Sequence, residues 1–191
     1  MKKSIVLATL AIAGLSLAET PKVSTLYDRV GRRIAADLEL AKALSAAPKE
    51  LDEVKWMVGR WHILSRVFAD GNREEHGESV TAFAIDGTWL KTEDSYQGKV
   101  ADFGLLTFNP VSKQWIALGV DKTGNVVRAV GNGWKNGRLV LLAEDVEIVG
   151  ERVTLRQTVE KRSDREYRIL NEEKLTDGGW AVVDEYVYTR K

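Results

Sequence analysis

The sequence predicts a mostly-β chain, an up-and-down antiparallel β-barrel of about ten strands preceded by an N-terminal α-helix. Three observations predict it. From Trp61 onward the apolar spacing changes from the period of a helix to the alternation of a strand. Turn-forming residues then recur about every 12 to 15 positions, most of them short enough for tight hairpins. No helical pattern interrupts the strands, and a meander of this kind loses its exposed edges only by closing on itself.

The elements follow in order. Lys2 and Lys3 precede an apolar run, Ile5 to Leu15, that is too short to span a bilayer, and Ser16-Leu17-Ala18 supplies small residues for cleavage before Glu19. Residues 1–18 are therefore expected to be a signal peptide. The mature protein is expected to be periplasmic or secreted, with no integral membrane insertion after cleavage. Residues 19–50 form a helical segment in which Val23, Leu26, Val30, Ile34, Leu38 and Ala41 make an apolar stripe, expected to pack on the outside or mouth of the barrel. Ser45 to Lys49 reads as a linker around Pro48. Leu51, Val54 and Met57 then suggest a short helical turn leading into Gly59.

The barrel domain is assigned to residues 51–191. Val58-Gly59-Arg60-Trp61 opens its first strand, which continues through Ile63, Ser65 and Val67. Nine turn signals follow: Asp70-Gly71-Asn72, Asp86-Gly87, Gln97-Gly98, Asn109-Pro110, Thr123-Gly124-Asn125, Asn136-Gly137, Gly150, Ser163-Asp164 and Asp177-Gly178-Gly179.

Composition narrows the functional classes. The chain carries 28 basic and 28 acidic side chains, and without Lys2 and Lys3 the mature part has a net charge of −2. Interleaved, near-neutral charge argues against a nucleic-acid or anionic-membrane partner. There is no cysteine, hence no disulfide, thiol nucleophile or lipid-modified cysteine. About 173 mature residues can bury a core without such staples.

From Leu51 to Lys191 the chain resembles the calycin superfamily, and within it the bacterial lipocalin-like domains of unknown function. The likeness is carried by Met57-Val58-Gly59-Arg60-Trp61, Asp86-Gly87-Thr88-Trp89-Leu90, the strand and turn from Phe103 to Pro110, and Glu185-Tyr186-Val187-Tyr188-Thr189-Arg190. It implies that Trp61 plugs the barrel floor and that Arg190 lies across it, closing the first strand onto the last. A guanidinium on an indole face is worth roughly 0.5 to 2 kcal/mol. Both residues are therefore structural candidates. Haem-binding barrels of the nitrobindin type have a related opening but ligate iron through a late-strand histidine. This chain has none after His76, so no cofactor is expected.

Catalytic motifs are missing. The mature chain has no Gly-x-Ser-x-Gly elbow. The Gly131–Gly137 stretch lacks phosphate-loop spacing, and Asp121 to Asn125 lacks the calcium-loop pattern. Glu74, His76 and Glu78 would share one strand face, but no supporting shell is identifiable and no metal site is assigned. Charged residues inside strand-like runs are more informative: Lys91, Glu93, Arg128, Arg156 and Asp184. If Trp61 and Arg190 face inward, alternation turns Asp184, Tyr186 and Tyr188 inward too. Lys91 and Glu93 would share the face of Trp89, and the apolar neighbours Val126 and Val130 suggest an inward Arg128.

Trp89, Arg128, Asp184 and Tyr186 are accordingly the candidate ligand-binding residues, and no catalytic residue is assigned. The expected function is an exported lipocalin-like barrel binding a small apolar or amphipathic molecule in its cavity. One alternative is a small-barrel enzyme using Asp184 or Glu93 as acid or base. Another is an interaction module with a filled barrel, whose helix from Val23 to Ala46 recruits a protein partner.

Overall fold

The computed structural model describes residues 25–68, 71–148 and 150–191. The signal-peptide expectation for residues 1–18 lies outside the described residues. The chain divides into two units, Met1–Leu38 and Glu39–Lys191.

In the first unit, helix α1 (Leu26–Ala36) begins at a capping box. The Asp28 amide donates to Thr25 Oγ1 at 3.1 Å, and the Thr25 amide donates to Asp28 Oδ2 at 3.0 Å. Two otherwise orphaned donors are satisfied reciprocally. The single helix expected from the apolar stripe is broken at Asp37, whose backbone is extended (φ −122°, ψ 96°). A short polar side chain at that point favours a cap over helical continuation. Helix α2 (Leu38–Ser45) follows the break and belongs from Glu39 onward to the second unit; neither helix contains a buried residue.

The second unit is the barrel. A 3₁₀ helix (Lys49–Met57) buries Leu51, Val54 and Met57 and leads into the first strand, as the apolar spacing anticipates. The strands are β1 (Gly59–Val67), β2 (Arg73–Ala84), β3 (Trp89–Tyr96), β4 (Lys99–Asn109), β5 (Gln114–Asp121) and β6 (Val126–Gly131), then β7 (Trp134–Lys135), β8 (Arg138–Ile148), β9 (Glu151–Lys161), β10 (Glu166–Lys174) and β11 (Trp180–Arg190). Successive strands pair antiparallel, β1 pairs with β11, and β6 meets β8 at Val130 and Leu142. Ten strands thus close into a ring. The two-residue β7 is a spur on β8, created where Gly131-Asn132-Gly133 interrupts what alternation would read as one strand.

The closure is built around Trp61 and Arg190. Trp61 lies opposite Arg190 in the β1–β11 register and is fully buried. The Arg190 guanidinium sits 4.3 Å from the indole centroid and donates to the carbonyls of Trp56 (2.6 Å) and Val58 (3.2 Å). Trp61 Nε1 donates to the Met57 carbonyl at 2.8 Å. Tyr167 meets Trp61 edge-on at 4.9 Å and stacks on Tyr188 at 4.3 Å. Together with the 3₁₀ helix, this cluster makes one end of the barrel a solid floor.

Candidate ligand-binding cavity

Above that floor lies a cavity of about 400 Å³. Its lower wall is apolar, from Met57, Leu90, Leu106, Leu141 and Val159. The space exists because small residues occupy inward positions on adjacent strands. Gly104 and Gly119 lie opposite each other on β4 and β5, followed by Ala117 on β5 and Ala129 on β6. A Cβ on Gly119 would meet nothing within 4 Å, so the glycine leaves open room, not a filled seam. Hydrophobic walls that fail to meet across the barrel leave a hollow within the size range of small-molecule pockets.

Toward the other end, where the strands run into the β3–β4, β5–β6 and β10–β11 turns, the lining becomes polar. Asp94 lies opposite Asp102, and Asp102 lies opposite Asp121, so β3, β4 and β5 carry a lateral row of three carboxylates. From the other side of the barrel Gln157 Nε2 donates to Asn171 Oδ1 (3.1 Å), and Asn171 Nδ2 donates to Asp184 Oδ1 (2.7 Å). Bulges follow both Asp94 and Asn171 and re-aim the strands where these polar groups sit. Tyr186 completes this part of the wall, and Tyr188 reaches Asp94 from the floor cluster with its hydroxyl. Among the described residues the lining contains no lysine, arginine or histidine.

The carboxylates titrate differently because their surroundings differ. Burial, reinforced by the charges of Asp94, Asp121 and Asp184, pushes the Asp102 carboxyl up to about 7. Burial raises Asp184 to about 6 against the stabilising hydrogen bond from Asn171. Asp94, only 4 % exposed, is also raised by burial, although Tyr188 donates its hydroxyl to Oδ2 at 2.8 Å. The Ser79 hydroxyl, opposite Asp94 on β2, also opposes the rise. At Asp121 burial is outweighed by hydrogen bonds from Thr123 and Asn125, which hold the carboxyl at about 2. Direct cross-strand like charges cost stability, and the described lining offers no cation to offset them.

Of the expected site residues, Asp184 and Tyr186 line the cavity and Trp89 and Arg128 do not. Arg128 is exposed on the outer face of β6, because Val127 and Ala129 on either side of it turn inward. Trp89, Lys91 and Glu93 do share a face, but it is the outer one, since Leu90, Thr92 and Asp94 line the cavity. Lys91 and Glu93 pair with each other there at 2.9 Å. Arg156 also points outward, stacked 4.3 Å over Trp180 and bonded through two nitrogens to Glu172. Of the Glu74, His76 and Glu78 set, both glutamates are engaged by cations, Glu74 by Arg66 and Glu78 by Lys191. Sequence reasoning did not place Asp94, Asp102 or Asp121 in the cavity, although the alternations Leu90-x-Thr92-x-Asp94 and Trp115-x-Ala117-x-Gly119-x-Asp121 point to the first and the last of them.

No family model matches the chain, and no curated protein matches it. Among solved structures, one of EF1p2_mFAP2b bound to DFHBI matches at 8% identity with a TM-score of 0.34, covering 72% of this chain and 96% of that one. The class assignment rests on the strand order itself. A closed, antiparallel ten-strand barrel with a helical entry fits a calycin, lipocalin-like fold.

Proposed function

We propose that the protein is an exported carrier or binding protein that holds a small amphipathic molecule in the barrel. One observation carries this reading: a cavity of about 400 Å³ with an apolar floor and a polar far end, hollowed by Gly104 and Gly119. Burying the ligand's apolar part against Leu90, Leu106 and Leu141 would supply roughly 25 cal/mol per Å² removed from water. The polar residues at the other end would fix its orientation. Export is supported by the basic, apolar and small-residue succession at the N-terminus. The enzyme alternative retains Asp184 alone, because Glu93 lies on the outer face.

Native mass spectrometry of the protein purified from its own host, together with titration of the neutral dye Nile red, tests the proposal. The expected result is an added small-molecule mass released on denaturation and Nile red emission that the extract displaces. Protein that carries no added mass and leaves the dye unaffected would overturn it.

A further inference from the structure

Granting that the cavity binds a small amphipathic molecule, we propose that the polar end of this molecule is an organic cation, an ammonium group seated among Asp94, Asp102 and Asp184. Four carboxylates line the cavity, three of them in a cross-strand row, and the described lining contains no basic side chain. A barrel that only needed a polar rim would not place like charges directly opposite one another, where they repel. The second observation is Asp94 itself. It lines the cavity, is 4 % exposed, and has only neutral hydroxyls beside it, from Tyr188 at Oδ2 and from Ser79 opposite it on β2. Hydroxyl partners leave the charge of a buried carboxylate uncompensated, and the described lining offers no cation to offset it.

The surroundings favour a large, diffuse cation over a bare metal ion. Among the described residues no three carboxylates or histidines are grouped to hold a metal. Beside Asp184 the wall is instead aromatic, from Tyr186, and the face of a tyrosine ring attracts ammonium groups. Below Tyr186, Leu90, Leu106 and Leu141 accept an aliphatic or aromatic body. An anionic amphiphile such as a fatty acid meets the opposite field and is disfavoured.

The titratable groups facing a bound cation are Asp94, Asp102, Asp121 and Asp184, with Tyr167, Tyr186 and Tyr188. Burial raises all three tyrosines, which remain neutral across the range where the carboxyls at about 6 and about 7 ionise. A quaternary ammonium ligand keeps its charge at every pH. Its affinity should therefore rise between about pH 5 and about pH 8, as Asp184 and Asp102 lose their protons.

Calorimetric titration of the full chain with octyltrimethylammonium, octanol, octanoate and calcium chloride decides the matter. Octyltrimethylammonium is expected to bind at least about tenfold tighter than octanol or octanoate at pH 8, and to lose that preference at pH 5. The Asp102→Asn, Asp184→Asn double variant should lose it at both. If octanol or octanoate binds as well as the ammonium, the cation assignment fails while the cavity proposal stands. If calcium binds and displaces the ammonium, the organic-cation assignment is overturned in favour of a metal. If no probe binds and Nile red is also indifferent, both proposals fall. Should the double variant not fold, the probe and pH series on the unaltered chain give the answer by themselves.

Discussion

Gly59 has φ +142°, and a Cβ placed there would lie 2.8 Å from Arg190 Nη1. Backbone conformation and the closeness of the guanidinium both demand glycine at this position. The Gly-x-Trp opening is thus explained by what lies over Trp61, and it was legible as a motif because the glycine and the tryptophan stand two residues apart in the chain. Asp102 was not legible in the same way. Along β4 the Phe103 and Leu105 face is as apolar as the Leu106 and Phe108 face, so alternation does not decide which of them turns inward with Asp102. The buried carboxyl has a testable consequence for the ligand-free protein. Its folded value near 7 stands above the ordinary 3.8, so between those pH values the folded chain holds a proton that the unfolded chain lacks. Stability from this group is fully present below about pH 3.8 and declines as pH rises through about 7. Asp102→Asn removes the penalty. Solvent at the polar end screens part of it, leaving an expected gain on the order of 1 to 3 kcal/mol at pH 8 that shrinks toward zero at pH 4. Urea denaturation at the two pH values checks this, and an equal effect at both would contradict the burial argument.

At the scale of elements, every one of the nine turn signals falls between two strands, because turn chemistry is written in adjacent residues. Which face each strand presents is a different kind of information. On β3, Trp89 and Leu90 are both apolar, and only the register with β2 and β4 decides between them. An inward Trp89 would bring Lys91 and Glu93 with it; the structure instead turns Leu90, Thr92 and Asp94 to the cavity. On β5 the alternation Trp115, Ala117, Gly119, Asp121 is a taper from a filled floor to an open end. Gly119 has no backbone need for glycine, since its φ lies outside the left-handed region, and nothing stands within 4 Å of a Cβ. Gly119→Leu should therefore be accommodated without loss of thermal stability while filling the room opposite Leu90 and Leu106. A leucine side chain buried in vacant space gives roughly 1.5 to 3 kcal/mol of transfer energy, partly offset by lost rotamers. Nile red binding should fall at least about tenfold in a variant whose melting temperature is unchanged or raised. Retained dye binding would place the ligand elsewhere than beside Gly119.

The whole molecule depends on two closures of unequal strength. β1 and β11 pair continuously from Trp61 opposite Arg190 to Val67 opposite Asp184, and the floor cluster clamps one end of that seam. β6 meets β8 only at Val130 and Leu142, because the chain leaves β6 at Gly131 for the β7 spur. At that crossing the two backbones come so close that a Cβ on Gly131 would run into the Val140 carbonyl oxygen, with Leu141 Cδ2 at 3.1 Å behind it. A short seam with few hydrogen bonds opens at lower free energy than a long one. The barrel should therefore open between β6 and β8 first. Native-state hydrogen exchange is expected to show the β6 amides that face β8 exchanging at least about tenfold faster than those joining β1 to β11. Gly131→Ala should widen that difference and lower global stability by about 1 to 3 kcal/mol, since backbone, not a flexible side chain, must give way. Equal protection at both seams in the parent chain would mean that the floor cluster and the β6–β8 crossing share one cooperative unit. Faster exchange at β1–β11 would mean that the stacked Trp61 and Arg190 contribute less to closure than their geometry implies.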